Sequence, residues 1–357
     1  MINYIFIKIK KFFRPTILKL NNFHIFMNFL FDRKIINLRS TRNSIKFNII
    51  NLKNFKKLLD KEETAKECTI DGKNIESEKE LIEKSSKILK RYGVVIIKEA
   101  FEKKCIKEFV DGIEYISPKQ KYYNNKKDNY EYEMSNELIP LHKNKFLLDN
   151  KIIKTIELSC NFDNYGNEEK IYARQLSKII FFNTKKENTK NNWTGGWHVD
   201  FPTQFTSHII LDDLGEDKTR MQVLPGSNLL PLIPGNHYKI DELNFDSQKN
   251  ILNCYGPKGT LYIHSGNTLH RNFPVLNTYR YVWSQIYTLD NIFVAADDEE
   301  KKSIFSQSQN YFNSLSDYNK EKIYPLINSP KDFLKNQIFK YDGKKYIKLS
   351  KNSMTYL

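Results

Sequence analysis

The tetrapeptide Trp197-His198-Val199-Asp200 places an imidazole and a carboxylate two residues apart. On a β-strand, residues i and i+2 project from the same face, so the pair could share one metal ion from inside a barrel. Taken alone the pair says little, because chance would place roughly 0.8 His-x-acid pairs in a chain with seven histidines and 42 acids. A second imidazole, His270, follows in LYIHSGNTLHRN, where a strand over residues 259–264 is expected to run into a loop. Two neutral imidazoles and one carboxylate make the facial triad of non-heme Fe(II) oxygenases, which leaves adjacent coordination positions open for chemistry. Ten residues further on, Arg280 begins RYVWSQIYT, a strand with Arg280, Val282, Ser284 and Ile286 on one face and Tyr281, Trp283, Gln285 and Tyr287 on the other. An arginine pointing inward beside a metal is costly unless an anion meets it. Of the remaining histidines, His264 reads as a packing or supporting residue of the strand before His270, and His208 and His237 default to structural roles.

The elements that must position these groups follow from periodicity. Residues 60–91 are rich in Glu and Lys, and Leu81-Ile82 and Ile88-Leu89 recur two helical turns apart, predicting a helix that stops at Gly93. Val94, Val95, Ile96 and Ile97 form an unbroken apolar run, the mark of a strand buried on both faces. Ile106, Phe109, Val110 and Ile113 then lie on one face of a second helix. Residues 117–137, SPKQKYYNNKKDNYEYEMSNE, show little periodicity and read as a long mobile loop or lid, carrying Tyr122, Tyr123, Tyr130 and Tyr132 and suited to selecting a substrate. From about 171 to 290, short strand-like runs separated by turn residues predict an antiparallel sandwich or barrel. Residues 291–357 return to charged, helical texture, with Pro325 and Pro330 as breakers. The expected plan is α+β: a basic N-terminal extension over 1–59, a catalytic unit over 60–290 and a helical C-terminal extension over 291–357.

Composition narrows the function classes. With 357 residues, 40% of them apolar, a large core is available, and scarce Gly and Pro exclude collagen-like or low-complexity chains. Four cysteines without CxxC spacing exclude a disulfide scaffold or zinc ribbon and predict a reduced, cytoplasmic protein. The formal charge of +15 suggests a nucleic-acid partner only until its position is considered. Residues 1–59 hold 13 Lys and Arg against one acid, Asp32, so the body of the chain is close to neutral and no nucleic-acid partner is expected. The apolar and basic residues interleaved at Ile5–Leu20 fit peripheral contact with an anionic membrane surface, or, more ordinarily, a packing extension. No run approaches the length of a spanning helix.

WHVD, HIILDD, MQVLPGSN, GTLYIHSGNTLHRN and then Arg280, in that order and spacing, resemble the core motifs of the phytanoyl-CoA hydroxylase family of Fe(II)- and 2-oxoglutarate-dependent dioxygenases. RYGVVIIKEAF at residues 91–101 is similar to that family's opening helix-to-strand segment. The resemblance implies a double-stranded β-helix, a jelly-roll or cupin-like core flanked by helices. It also implies that His198, Asp200 and His270 hold iron, that Arg280 binds the distal carboxylate of 2-oxoglutarate, and that Asn272 adds a polar contact to it. Asn228 stands where the family's PGSH motif has histidine, and Thr260 follows Gly259 where the family has aspartate.

The expected function is therefore hydroxylation of an unactivated C–H bond in a small organic or acyl-type substrate, with Fe(II), 2-oxoglutarate and O2 as the cofactor set. The competing class is a non-catalytic, cupin-like jelly roll that binds a sugar or acyl ligand, since barrel folds host many functions. A zinc hydrolase on the same triad is a weaker third reading.

Overall fold

A computed structural model describes residues 64–112, 121–123, 132–139, 141–160, 171–173, 177–184, 196–200, 204–229, 237–238, 250–288, 292–294, 311, 313–327, 338–341 and 346–348. The basic extension over 1–59 lies outside the described residues. Helix α1 (Glu78–Tyr92) starts where the Ser77 side chain accepts a hydrogen bond from the Glu80 N–H, with Glu78 and Glu80 in its first turn and Lys90 and Arg91 in its last, matching the helix dipole. It ends at Gly93 in the left-handed conformation, φ 72°, where the Gly93 N–H donates to Leu89 O. Strand β2 (Val94–Lys98) follows, then helix α2 (Lys103–Asp111), and after it helix α3 (Asn150–Cys160).

The larger sheet runs in the order β1 (Thr69–Asp71), β2, β12 (Leu261–Ser265), β8 (Gln204–Ile210), β14 (Thr278–Thr288), β6 (Lys178–Thr184), β4 (Tyr132–Leu138) and β3 (Lys121–Tyr123), with β5 (Tyr172–Ala173) also on β14. The smaller sheet is β10 (His237–Tyr238), β7 (Trp197–His198), β13 (His270–Phe273), β9 (Arg220–Val223) and β11 (Leu252–Cys254). Pairing is antiparallel except between β1 and β2. The two sheets form the open sandwich of a double-stranded β-helix, and no closed barrel forms among the described residues.

Alternation on each strand sorts the side chains. Val95, Ile97, Phe205, Ile209, Leu261, Ile263, Trp283 and Tyr287 point from the larger sheet toward the helices, where they meet Leu89, Ile106, Phe109, Ile152 and Ile156. Val94, Ile96, Ile210, Tyr262 and Val282 point the other way and pack with Met221, Val223, Leu252 and Cys254 of the smaller sheet. None of the four cysteines is in a disulfide, and burial pushes the Cys254 thiol up to about 12.

Two expectations need correction. Residues 117–137 are not one long loop: Lys121–Tyr123 and Tyr132–Leu138 pair as a hairpin that extends the edge of the larger sheet through β6. Lys121–Tyr123 is too short to show a period, and in Tyr132–Leu138 Asn136 interrupts the alternation of Tyr132, Met134 and Leu138, so the strands do not stand out in the sequence. The C-terminal segment is not wholly helical either. Besides α4 (Asp317–Ile327), it supplies β16 (Ile338–Tyr341) and β17 (Tyr346–Lys348), which form a small antiparallel sheet with β15 (Ile292–Val294).

Helix α4 is fastened to α3 by charge. The Lys322 ammonium, 1% exposed, donates to the Glu157 carboxylate, which also accepts from the Tyr318 hydroxyl at 2.7 Å and from Lys154 at 3.1 Å. Burial would raise the Glu157 pKa, but these donors, Lys322 foremost, hold it below the ordinary carboxylate value. Lys322→Met should cost about 2–3 kcal/mol, below the usual loss for a broken buried pair because Tyr318 and Lys154 remain, and adding Glu157→Gln should recover more than half of it. Thermal melts of the single and double variants check this.

Candidate active site

His198 and His270 face each other from adjacent strands of the smaller sheet, where β7 and β13 pair with these two residues in register. Their ring centroids lie 4.3 Å apart. Each Nδ1 contacts the carbonyl two residues earlier, Gly196 O and Thr268 O, both at 2.9 Å. With Nδ1–H committed to the backbone, the ring lone pair is on Nε2, the tautomer a metal needs. Asp200 lies just past the end of β7, its N–H bonded to Gly266 O at 2.6 Å, and its Oδ2 accepts from Gln204 Nε2 at 3.0 Å and lies 3.7 Å from His270 Nε2. One ligand atom from each of His198, Asp200 and His270 falls within 4.8 Å of the others.

The turn that carries His270 is held from behind. Gly93 O accepts from Ser265 N and from Thr268 Oγ1, while Ser227 Oγ accepts from Leu269 N and donates to Leu224 O. The PGSN segment thus acts through Ser227, and Asn228 O takes a hydrogen bond from Asn267 Nδ2. Asn228 and Thr260, the two departures from the family pattern, therefore sit behind the site and line none of its cavity.

A cavity of about 180 Å³ lies between the sheets, bounded by the triad, by His208, His264, Asn272 and Arg280, and by apolar walls from Ile180, Phe182, Met221 and Ile286. Arg280 is 3% exposed, and its Nε and Nη1 have no hydrogen-bond partner among the described residues. Asn272 Oδ1 is likewise unpartnered there. The structure thus brings all five expected site residues to one cavity. His237 stands opposite His198 in the register of the edge strand β10 with β7.

Sequence reasoning missed His208 and His264 as lining residues. Both project from the larger sheet on the face shared by Thr206 and Tyr262, and His264 lies 4.4 Å from His270 between ring centroids. Burial, reinforced by Arg280 at His208 and by His270 at His264, drives both imidazoles well below their ordinary pKa, so both are neutral. The available signal was the two-residue spacing of Thr206 and His208, and of Tyr262 and His264, on strands facing the triad.

The family model for phytanoyl-CoA dioxygenase (PhyH) matches residues 89–279, more than half of the chain. The chain belongs to the phytanoyl-CoA dioxygenase family. Its matched stretch spans the site from the Gly93 support to Asn272 and stops one residue before Arg280. The dioxygenase is also similar to solved structures of low identity. The non-heme alpha-ketoglutarate-dependent epimerase SnoN from nogalamycin biosynthesis is 15% identical over 58% of this chain and 82% of its own, with a TM-score of 0.42. AviO1 from Streptomyces viridochromogenes Tue57 is 12% identical over 57% and 93%, TM-score 0.37. EctD from S. alaskensis is 14% identical over 57% and 75%, TM-score 0.37. No curated protein matches the chain. Among the described residues of this dioxygenase, no helix is long and apolar enough to cross a membrane.

Proposed function

We propose that His198, Asp200 and His270 hold one Fe(II), that Arg280 receives the distal carboxylate of 2-oxoglutarate with Asn272 beside it, and that the protein hydroxylates an unactivated C–H bond of a small organic or acyl-type substrate. The observation that carries this reading is the buried Arg280 guanidinium, which lines the same cavity as a complete set of two imidazoles and a carboxylate and lacks an anion among the described residues. A permanently charged group in such a place is costly, and a dicarboxylate co-substrate supplies the missing charge. A jelly roll that only bound a sugar would have no use for it.

Bound iron would supply the redox chemistry, in which O2 and 2-oxoglutarate give CO2 and succinate while the second oxygen atom enters the C–H bond as hydroxyl. The chain's own groups bind, orient and exclude water. The Gly196 and Thr268 carbonyls fix the two imidazole tautomers, Gln204 holds Asp200, and Ile180, Phe182, Met221 and Ile286 keep the walls apolar. The co-substrate fills much of about 180 Å³, so the substrate must enter from the side of half-exposed Asp200, whose side chain is 34% exposed. We read residues 60–290 as the catalytic unit and the extensions as packing or contact segments.

Succinate release from 2-oxoglutarate, with Fe(II) and oxygen present, tests the reading. Wild type should form succinate and His270→Ala should fall at least about 100-fold, because two remaining ligands hold the metal weakly and in the wrong geometry. Equal rates in the two proteins would remove the triad from the reaction.

A further inference from the structure

Beside the triad and Arg280, the same cavity is lined by His208. His208 comes from β8, directly opposite Tyr262 on β12, and is 3% exposed. Its ring stacks on Tyr262 with centroids 4.7 Å apart and lies 6.0 Å from the nearly parallel His264 ring. Stacking leaves the nitrogen-bearing edge as the polar part of the side chain, and neither Nδ1 nor Nε2 meets a partner among the described residues. Tyr262 itself lies behind His208, outside the cavity lining, with its buried hydroxyl close to Arg280. His208 shares a cavity with a guanidinium whose Nε and Nη1 are unmet among the described residues, and a neutral imidazole has one N–H to give. Apart from Asp200 at the mouth, the charged group lining this cavity is Arg280, and Arg280 acts on His208 more strongly than His264 or His270 does.

We propose that His208 is a second anchor for the co-substrate, donating one ring N–H to the carboxylate that Arg280 binds, and that it makes the Arg280 end of the pocket selective for keto acids bearing a second carboxylate. This rests on the reading of the cavity as a 2-oxoglutarate site. A cation beside an uncharged donor suits a fully desolvated carboxylate better than a guanidinium alone, because each oxygen has more than one lone pair to satisfy.

The test uses the full chain loaded with Mn(II), which binds similar ligands without turnover, and calorimetry with two probes: 2-oxoglutarate and 2-oxopentanoate, the same keto acid with a methyl in place of the distal carboxylate. His208→Phe keeps the ring and its stacking. It should weaken 2-oxoglutarate about 10- to 100-fold while changing 2-oxopentanoate and Mn(II) affinity by less than about threefold. His208→Gln, which retains a donor, should stay within about tenfold of wild type for 2-oxoglutarate, and it carries the test if the Phe variant fails to fold. Unchanged 2-oxoglutarate affinity in His208→Phe, or equal losses for both acids, would overturn the assignment, as would a folded Gln variant that binds as poorly as the Phe one. Wild type that takes up Mn(II) but binds neither acid would instead bring down the co-substrate reading itself.

Discussion

Arg280→Met should raise the 2-oxoglutarate concentration needed for half-saturation by about 30- to 800-fold and leave the ligand-free protein as stable as wild type or more so. The first effect is the loss of a charge-assisted, forked contact to a desolvated carboxylate, worth about 2–4 kcal/mol. The second follows from burial. The guanidinium is 3% exposed with two nitrogens unmet among the described residues, so the empty pocket bears its desolvation cost and an unbranched apolar side chain removes it. Structural arginines behave oppositely, because their removal orphans a partner. Co-substrate titration and a thermal melt on the same preparation separate the roles. Unchanged titration, or a melt lowered by several degrees, would mean that Arg280 serves the fold.

Gly93→Ala should destabilise the protein by about 2–5 kcal/mol and weaken metal binding at least tenfold. Gly93 has φ +72°, where an L side chain costs about 1–2 kcal/mol. An added Cβ would also fall 2.2 Å from Thr268 Oγ1 and 2.7 Å from Asn228 Cγ. Relieving that overlap moves either the PGSN turn or the turn ahead of His270, at a further cost of about 1–3 kcal/mol. Because Gly93 O anchors both Ser265 N and Thr268 Oγ1, and Thr268 O sets the His270 ring, the strain passes to a metal ligand two hydrogen bonds away. A melting temperature lower by about 5–15 °C, with weaker metal uptake in the folded fraction, is the expected result. Wild-type stability would mean that the turn relaxes freely and that Gly93 does not position His270.

What was legible in the chain beforehand depended on how local each signal was. His198 and Asp200 were visible as a spaced pair, and His270 and Arg280 because they follow in motif order, each on a segment with its own strand pattern. Gly93 was visible as a helix stop. Its second duty, bracing the His270 turn from 175 residues away, was not, because that contact is made only when the sheets close. His208 sits in QFTSHII, a strand buried along its whole length, so no polar alternation marks which face looks into the cavity. The hairpin at Lys121–Tyr123 and Tyr132–Leu138 was obscured because its first strand is too short to show a period and Asn136 breaks the alternation in its second. Lys322 in a charged C-terminal segment reads as surface, and only the carboxylate of Glu157, supplied by another helix, allows it to be buried.

The most direct test of the central claim is anaerobic equilibrium dialysis of the metal-free full chain against Fe(II), followed by 2-oxoglutarate, in wild type and in His270→Ala. The account predicts a single tightly held Fe(II) per wild-type chain, stoichiometric 2-oxoglutarate retained only once the metal is present, and neither retained by the folded His270→Ala protein. Wild type that retains no Fe(II), or a His270→Ala protein that retains it as well as wild type, would contradict the assignment of His198, Asp200 and His270 as the metal centre.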